Sequence, residues 1–246
     1  MLNLEILLKK TIKQFNAITI KDFLTLILHH EQLGYYRKKS IVGKAGDFTT
    51  APEISQVFGE IIGNFLMLNS DLFNKKDLSY VEFGPGRGLL SMDILRTIKK
   101  LSSNLYDKIK NVYFLEKSET FFDNLRAIHH SVKIIEDSGK IPDSYNIILA
   151  NEFFDALPIN QYLYKKKNWY KVLVTLDVNE KFIFCLSERP SVKNNFFPNN
   201  PCEGYVFEYS KYAINLLVSL CKQIKLFGGI FIIIDYSRNL QSSQST

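Results

Sequence analysis

The chain has 246 residues, of which 46% are hydrophobic and 23% are charged, and it carries a formal net charge of +6. This composition is that of an ordinary soluble globular protein with room for a sizeable core, so it excludes a disordered or fibrous chain. The lysines are scattered along the chain. The sequence also has no arginine clusters with interleaved aromatic residues, which are typical of nucleic-acid binding. We therefore expect no nucleic-acid partner.

The three cysteines are far apart and form no CxxC pair, which favours a reducing compartment and argues against a zinc site. We therefore expect no metal. No apolar run approaches the ~20 residues that cross a bilayer. The first residues resemble neither a signal peptide nor a targeting peptide rich in arginine and serine. The sequence therefore predicts a cytoplasmic protein with no membrane span.

The N-terminal third has helical periodicity. Residues 1–35 are predicted to form helices, with Thr19 placed to cap the second one. A loop punctuated by glycines covers residues 34–52, and helical periodicity returns from Glu53 to Leu68. We therefore predict a helical N-terminal extension over residues 1–75.

Strands and helices alternate beyond this extension. The predicted strands cover residues 79–83, 111–116, 132–136, 145–150 and 229–235, and the predicted helices cover residues 88–101, 118–130 and 209–226. The last two strands are continuous apolar runs, as expected when helices cover both faces of a parallel sheet. Residues 160–187 alternate polar and apolar side chains, which predicts an inserted β-hairpin. The fold class is therefore α/β, with a doubly wound sheet in a domain of residues 76–246.

The most informative segment is the turn after the first of these strands. Gly84, Gly86 and Gly88 form a GxGxG pattern between a strand and an amphipathic helix, which is typical of nucleotide-binding turns. A dinucleotide fingerprint requires its third glycine at position 89, which is Leu89. Glu82 disfavours a nearby phosphate and favours a ligand with a sulfonium and an amino group. We therefore predict S-adenosylmethionine as the cofactor, with a purely structural turn as the alternative.

Ligand-binding residues of such sheets follow the ends of the strands. Glu116 follows the second strand, and its carboxylate can accept hydrogen bonds from both hydroxyls of a ribose. Asp137 and Ser138 follow the third strand, where an adenine edge would lie. An ordinary turn explains these last two residues equally well.

Two carboxylates beside two aromatic residues follow the fourth strand. Glu152 and Asp155 flank Phe153 and Phe154, and charge is costly in apolar surroundings unless a cation or hydrogen bonds compensate it. A capped helix N-terminus is the alternative interpretation. Asp235 repeats the pattern after the fifth strand, where a simple loop acid is also possible.

In combination, these motifs resemble the MidA family of S-adenosylmethionine-dependent methyltransferases. The resemblance rests on residues 33–36, 46–60, 82–88, 93–96, 151–158, 228–229 and 235–236. It implies a class I methyltransferase fold and a protein substrate, namely an arginine of a respiratory complex I subunit. It also implies site roles: cofactor contacts at Gly84, Gly86, Glu116 and Asp137, a cofactor lid at Gly46, Asp47 and Phe48, and catalytic recognition of the guanidinium at Glu152 and Asp155.

One departure concerns the C-terminal end, because members of that family continue well beyond the last residue of this chain. Their DYG motif is Asp235-Tyr236-Ser237 here. We expect Phe231–Ile234 to form an apolar sheet edge without the strand that family members insert beside it. Two interpretations of the function stay open: a protein methyltransferase that acts on arginine, and a truncated, catalytically silent cofactor-binding remnant or assembly-partner module. A second polypeptide that supplies the missing strands is a further candidate partner.

Overall fold

The computed structural model describes residues 3–37, 50–73, 77–192 and 194–236. The helices are α1 Leu4–Phe15, α2 Ile20–His29, α3 Ala51–Ile54, α4 Gln56–Leu68, α5 Leu89–Leu101, α6 Ser103–Lys108, α7 Phe122–Arg126 and α8 Lys211–Phe227. The strands are β1 Ile18–Thr19, β2 Leu78–Phe83, β3 Ile109–Leu115, β4 Val132–Ile135, β5 Tyr145–Asn151, β6 Asn160–Lys165, β7 Asn168–Leu176, β8 Phe182–Leu186, β9 Val206–Tyr209 and β10 Gly229–Ile234.

The described residues form two compact units. One unit contains residues 3–37 and 157–212, and the other contains residues 50–156 and 213–236. The first unit thus joins the N-terminal helices to a segment from the second half of the chain. The predicted division into domains 1–75 and 76–246 follows chain order instead, and it stays a prediction.

The larger unit is built on a five-stranded sheet in the order β10-β5-β2-β3-β4, and every neighbouring pair is parallel. All six residues of β2 are buried, as are the five central residues of β5. These two strands are covered on both faces, which explains why β5 is a continuous apolar run. Strand β10 is only half-buried, because it lies at the edge of the described sheet and pairs with β5 alone.

Helices pack on both faces of this sheet, so the predicted doubly wound architecture is confirmed. One face packs against α4 and α5 around Ile94 and Phe114, and the other packs against α8 through Leu216 and Leu220. The contact between α4 and α5 is close because α4 carries a glycine where α5 approaches. A Cβ at Gly59 would lie 2.6 Å from the Cβ of Asp93, so a larger residue there would force the helices apart.

The smaller unit contains an antiparallel sheet in the order β1-β7-β6-β9, with β8 also paired to β7. Strands β6 and β7 form a hairpin whose turn residues, Lys166 and Lys167, both have positive φ, as a tight two-residue turn requires. The inserted hairpin predicted at residues 160–187 is therefore real but incomplete. The sequence did not reveal that β1 and β9, from distant segments, extend it into a five-stranded sheet.

Several helix predictions need correction. The predicted helix over residues 118–130 contains only α7 and a short 3₁₀ turn, and α6 was not predicted. The N-terminal helices match the prediction better, because the Thr19 hydroxyl accepts a hydrogen bond from the amide of Asp22 and caps α2. Within the described ranges, no helix combines the length and the hydropathy needed to span a bilayer.

Candidate active site

The turn between β2 and α5 has the backbone shape that its glycines predict. Gly84, Gly86 and Gly88 have φ values of 62°, 53° and 78°, a region that side chains disfavour. A Cβ at Gly88 would lie 2.3 Å from the Cδ1 of Ile128, whereas a Cβ at Gly86 would meet no atom within 4 Å. The space beside Gly86 is therefore open to a ligand that approaches the backbone.

This turn is also tied to the segment that precedes the sheet. Arg87 forms an ion pair with Glu53 of α3, with 3.0 Å between its Nη1 and the Glu53 Oε2. The Glu53 side chain is only 5% exposed, so the ion pair is partly shielded from water. The predicted lid residues Gly46, Asp47 and Phe48, a few positions before α3, lie outside the described residues.

Glu82 lies on the face of β2 that packs against α5, and it is 2% exposed. Its carboxylate accepts hydrogen bonds from the hydroxyls of Tyr80 and Ser91. Burial raises the pKa of Glu82 to about 7. These contacts join β2 to the first turn of α5, and the glycine turn lies between these two elements. Glu82 therefore supports the shape of the glycine turn indirectly. Direct contact between Glu82 and a bound cofactor stays a prediction.

Glu116 follows β3 directly beside the glycine turn. The pairing of β2 with β3 places Phe83 opposite Leu115, and the Gly84 amide donates to the Leu115 carbonyl at 3.0 Å. One carboxylate oxygen of Glu116 accepts from the amides of Lys117 and Ser118, each at 2.8 Å. These bonds hold the side chain at the strand end, where the sequence predicts a ribose contact.

The third predicted cofactor segment follows β4. The amide of Glu116 donates to the carbonyl of Ile135 at 3.1 Å, which brings the ends of β3 and β4 together. Asp137 is exposed and accepts from the amide of Gly139 at 2.8 Å, and Ser138 is half-buried. The contacts shown are those of an ordinary turn, so the adenine contact stays a prediction.

The acids predicted to be catalytic lie on the loop that follows β5. Within this loop Phe153 packs edge-on against Phe83, with ring centroids 5.3 Å apart, and a Cβ at Gly84 would be 3.1 Å from the Phe153 ring. The loop that carries Glu152 and Asp155 therefore touches the glycine turn. The alternative of a capped helix N-terminus does not apply, since no helix follows β5 directly.

The end of β10 adds a third carboxylate to this loop. Asp235 accepts hydrogen bonds from the amides of Phe154 and Asp155, each at 3.2 Å. Partial desolvation raises the pKa of Asp155, and the negative charges of Asp235 and Glu152 raise it further. A hydrogen bond to Glu152, followed by desolvation and the charges of these acids, raises the pKa of Tyr236 to about 12. The three acids are thus close enough to repel one another.

This acidic group lacks a cationic partner in the part of the chain that the structure describes: no lysine, arginine or histidine there forms an ion pair with Glu152, Asp155 or Asp235. The side-chain oxygen of Asn151 is buried there without a hydrogen-bond partner among the described residues. Converging carboxylates without a counter-ion favour a cationic ligand.

Asp235, Tyr236 and Asn151 are not among the predicted site residues. A signal was available for two of them, because Asp235 ends a predicted strand and Tyr236 follows it directly. Many ordinary loop residues also occur at the end of a strand, so this signal is not specific to a functional site. Only the pairing of β10 with β5, which places Ile234 opposite Asn151, shows that these residues belong with Glu152 and Asp155.

The chain's own residues fit S-adenosylmethionine. The open backbone beside Gly86 suits a ligand that bonds to amides, and Glu116 can bind a ribose at the neighbouring strand end. The carboxylates after β5 and β10 suit a positively charged centre. All these residues belong to the larger unit and lie at the carboxyl ends of adjacent parallel strands, where ligands of such sheets bind.

We predict that buried Glu82 makes the stability of the protein depend on pH. The unfolded chain loses the Glu82 proton near the ordinary pKa of 4.5, whereas the folded chain keeps it until about pH 7. The free energy of unfolding should therefore fall by up to about 3 kcal/mol as the pH rises through this window. Glu82→Gln should remove this contribution, as measured by urea denaturation between pH 4.5 and 8.

The matched control is Glu119→Gln, which replaces an exposed glutamate and should follow the wild-type pH dependence. The expectation is contradicted if the difference in unfolding free energy between Glu82→Gln and the wild type is the same at every pH.

Comparison with known proteins agrees with this geometry. Residues 61–246 match the model of a family described as "Putative S-adenosyl-L-methionine-dependent methyltransferase". The protein arginine methyltransferase NDUFAF7, mitochondrial, of Xenopus tropicalis is 30% identical over 92% of this chain, and its human counterpart is 29% identical over 93%. The chain spans only 59% and 58% of these two relatives. The predicted cytoplasmic location is wrong by this comparison, because both relatives are named as mitochondrial.

Solved structures show the same fold. A COG1565 superfamily member from Burkholderia thailandensis, bound to S-adenosyl-homocysteine, superimposes with a TM-score of 0.72 at 21% identity, covering 89% of this chain and 59% of the other. A second structure of a protein of this superfamily from the same organism gives a TM-score of 0.71. The class I methyltransferase-like fold predicted from the sequence is therefore confirmed. With the family model covering three quarters of its length, the chain belongs to this family of S-adenosylmethionine-dependent methyltransferases.

Proposed function

We propose that the protein transfers a methyl group from S-adenosylmethionine to an arginine side chain of a protein. The observation that carries this proposal is the contact between the loop of Glu152 and Asp155 and the glycine turn, through Phe153 and Gly84. A cofactor at the turn and a cation held by these acids would be neighbours. The relatives named protein arginine methyltransferase support the choice of acceptor.

The cofactor, when bound, supplies a sulfonium methyl that is already an activated electrophile. The remaining task is to hold and orient a guanidinium, which is a weak nucleophile because its lone pairs are delocalised and its pKa exceeds ~12. Glu152 and Asp155 can bind it through paired hydrogen bonds and aim one nitrogen at the glycine turn. The raised pKa of Asp155 makes its carboxylate a better acceptor for the departing proton than an ordinary aspartate.

We further propose that the acceptor arginine belongs to a subunit of respiratory complex I, as the resemblance to the MidA family implies. The test of this narrower statement is whether methyl label appears on a complex I subunit. Label that appears only on unrelated arginine-containing proteins would contradict this acceptor and leave the chemistry intact.

We predict that neutralising the catalytic acids stops transfer and leaves cofactor binding intact. Glu152→Gln and Asp155→Asn should each lower transfer of labelled methyl to an arginine peptide by about 100-fold or more, because the guanidinium loses a charged hydrogen-bond partner. Affinity for S-adenosylhomocysteine, measured by calorimetry, should stay within about twofold of the wild type. Asp107→Asn on α6 is the matched control. If both variants transferred labelled methyl as fast as the wild type, the assignment of these acids would be wrong.

We predict that Glu116 anchors the cofactor through its ribose. Glu116→Gln keeps an oxygen for the amides of Lys117 and Ser118 but removes the charge and one acceptor, so affinity for S-adenosylmethionine should fall about 10-fold or more. The affinities for S-adenosylmethionine and for NAD are measured by calorimetry. The control variant is Glu119→Gln. Binding of NAD alone would refute the proposed cofactor, and unchanged affinity in Glu116→Gln would refute the ribose contact.

A second candidate function is that of a catalytically silent cofactor-binding remnant or assembly-partner module, and the edge of the sheet is the observation that favours binding of a partner. Strand β10 pairs on one side only within the described sheet. An apolar groove of about 510 Å³ lies between α4 and β10, lined by Ile61, Ile62, Phe65 and residues 230–233. We propose that a second polypeptide, equivalent to the part of the relatives that this chain does not cover, pairs with β10 and fills this groove.

We predict that this added polypeptide stabilises the chain. The matching segment of a relative, supplied in trans, should raise the melting temperature by several degrees, because it binds the folded state alone. Ile233→Lys, at a side chain that is 43% exposed, should abolish the increase. Val178→Lys, at a 97% exposed apolar residue of the smaller unit, is the control. No increase with the wild type would refute the split arrangement.

The two candidate functions separate in the same assays. An active enzyme incorporates labelled methyl, with or without the added polypeptide. A silent module binds S-adenosylmethionine and the added polypeptide and incorporates no label under either condition.

A further inference from the structure

Asp235 holds the loop of the catalytic acids by its backbone. One carboxylate oxygen, Oδ2, accepts from the amides of Phe154 and Asp155, each at 3.2 Å. The other, Oδ1, accepts from the amide of Tyr236 at 2.8 Å. Both oxygens are therefore engaged by backbone amides, and two of these three amides belong to the loop after β5.

The same loop needs such support because its backbone is strained. Glu152 has φ of 49°, in the left-handed region that residues with a side chain adopt rarely and at a cost. Its amide donates to the carbonyl of Ile234 at 2.8 Å. The loop is thus fastened to β10 at two points, the carbonyl of Ile234 and the carboxylate of Asp235. The first point is backbone and survives any substitution, so Asp235 is the point that a side chain controls.

We infer that Asp235 is a positioning residue, which shapes the loop so that the Glu152 and Asp155 carboxylates face the same acceptor group. This inference rests on the proposed arginine methyltransfer and adds to it the residue that assembles the acceptor site. Asp235 acts through the amides of Phe154 and Asp155 and does not bind the guanidinium itself. The role is specific to the oxygen atoms of Asp235 and not to its charge.

Two substitutions distinguish positioning from direct binding of a cation. Asp235→Asn keeps one oxygen that can accept both loop amides and removes the charge. Asp235→Ala removes the acceptor as well. If Asp235 acts by positioning, the alanine variant loses affinity for an arginine peptide and the asparagine variant largely keeps it. If Asp235 binds the guanidinium directly, both variants lose affinity for the peptide to a similar extent.

The probe is a synthetic peptide with one arginine between glycines, titrated by NMR into the full chain saturated with S-adenosylhomocysteine. Asp235→Ala should raise the dissociation constant of the peptide about 10-fold or more, the loss expected when hydrogen bonds near a charged group are removed. Asp235→Asn should stay within about threefold of the wild type. Affinity for S-adenosylhomocysteine should be unchanged in both, which shows that the variants are folded. Asp107→Ala is the matched control.

A second measurement reports on the loop without any peptide. Hydrogen exchange of the Phe154 and Asp155 amides should be slow in the wild type and in Asp235→Asn, and at least about 10-fold faster in Asp235→Ala. Equal exchange in all three proteins would overturn the inference.

The pH dependence of peptide binding adds a further readout. A guanidinium binds the ionised form of Asp155, so binding weakens as the pH falls through the pKa of that residue. The charge of Asp235 is one cause of the raised pKa of Asp155. In Asp235→Asn the acid limb of binding should therefore move to lower pH while the affinity at neutral pH is kept. Loss of affinity at every pH in this variant would show that Asp235 binds the guanidinium directly and would overturn the inference.

Failure of the inference and failure of the proposed function give different results. If the wild type binds no arginine peptide and transfers no methyl, the proposed function is wrong and the positioning role falls with it. If the wild type binds the peptide and Asp235→Ala binds it equally well, the positioning role alone is wrong.

Discussion

The parallel pairing of β2 with β3 and β5 is the constraint on which the site depends. Its register places Phe83 opposite both Leu115 and Ala150, so the three strands end at nearly the same level. A glycine turn, a glutamate and an acidic loop, which are spread over residues 84–155 of the chain, therefore meet at one edge of the sheet. A slip of β5 by one residue would turn its side chains to the opposite face and move the acids away from the turn.

Carboxylates lie both beneath this edge of the sheet and at its solvent-exposed rim, and the two environments bury them to different extents. Glu82 is enclosed beneath the turn by Tyr80 and Ser91, and burial raises its pKa to about 7. Glu152, Asp155 and Asp235 lie at the rim, where solvent still reaches them, and partial desolvation followed by the charges of Asp235 and Glu152 raises the pKa of Asp155. The deep acid supports the scaffold, whereas Glu152 and Asp155 at the rim are available to a cation and Asp235 holds the loop that carries them.

Strand β10 has a distinct role on each of its sides. On its inner side it pairs with β5 over six residues and brings Asp235 to the loop after β5. On its outer side it presents apolar side chains next to a groove shared with α4. Among the described strands β10 pairs with β5 alone, and a strand with one partner is less constrained than a central one. The outer edge of the sheet and the loop of Glu152 and Asp155 are therefore connected through one strand.

The sequence alone determined the features that depend on short stretches of chain. The order of strands and helices, the glycine turn, the caps and the acids that follow individual strands are all encoded within a few residues, so their periodicity and spacing predict them. The predicted site residues from Gly84 to Asp155 that lie within the described ranges do follow strand ends at one edge of a parallel sheet. Tertiary structure decided what depends on pairing between distant segments: the five-stranded sheet around the predicted hairpin, the inward direction of Glu82, and the contact of Asp235 with the loop of Glu152 and Asp155. These could not be read from the chain, because a strand-end acid looks the same in any loop until the register of β10 against β5 sets which amides it meets.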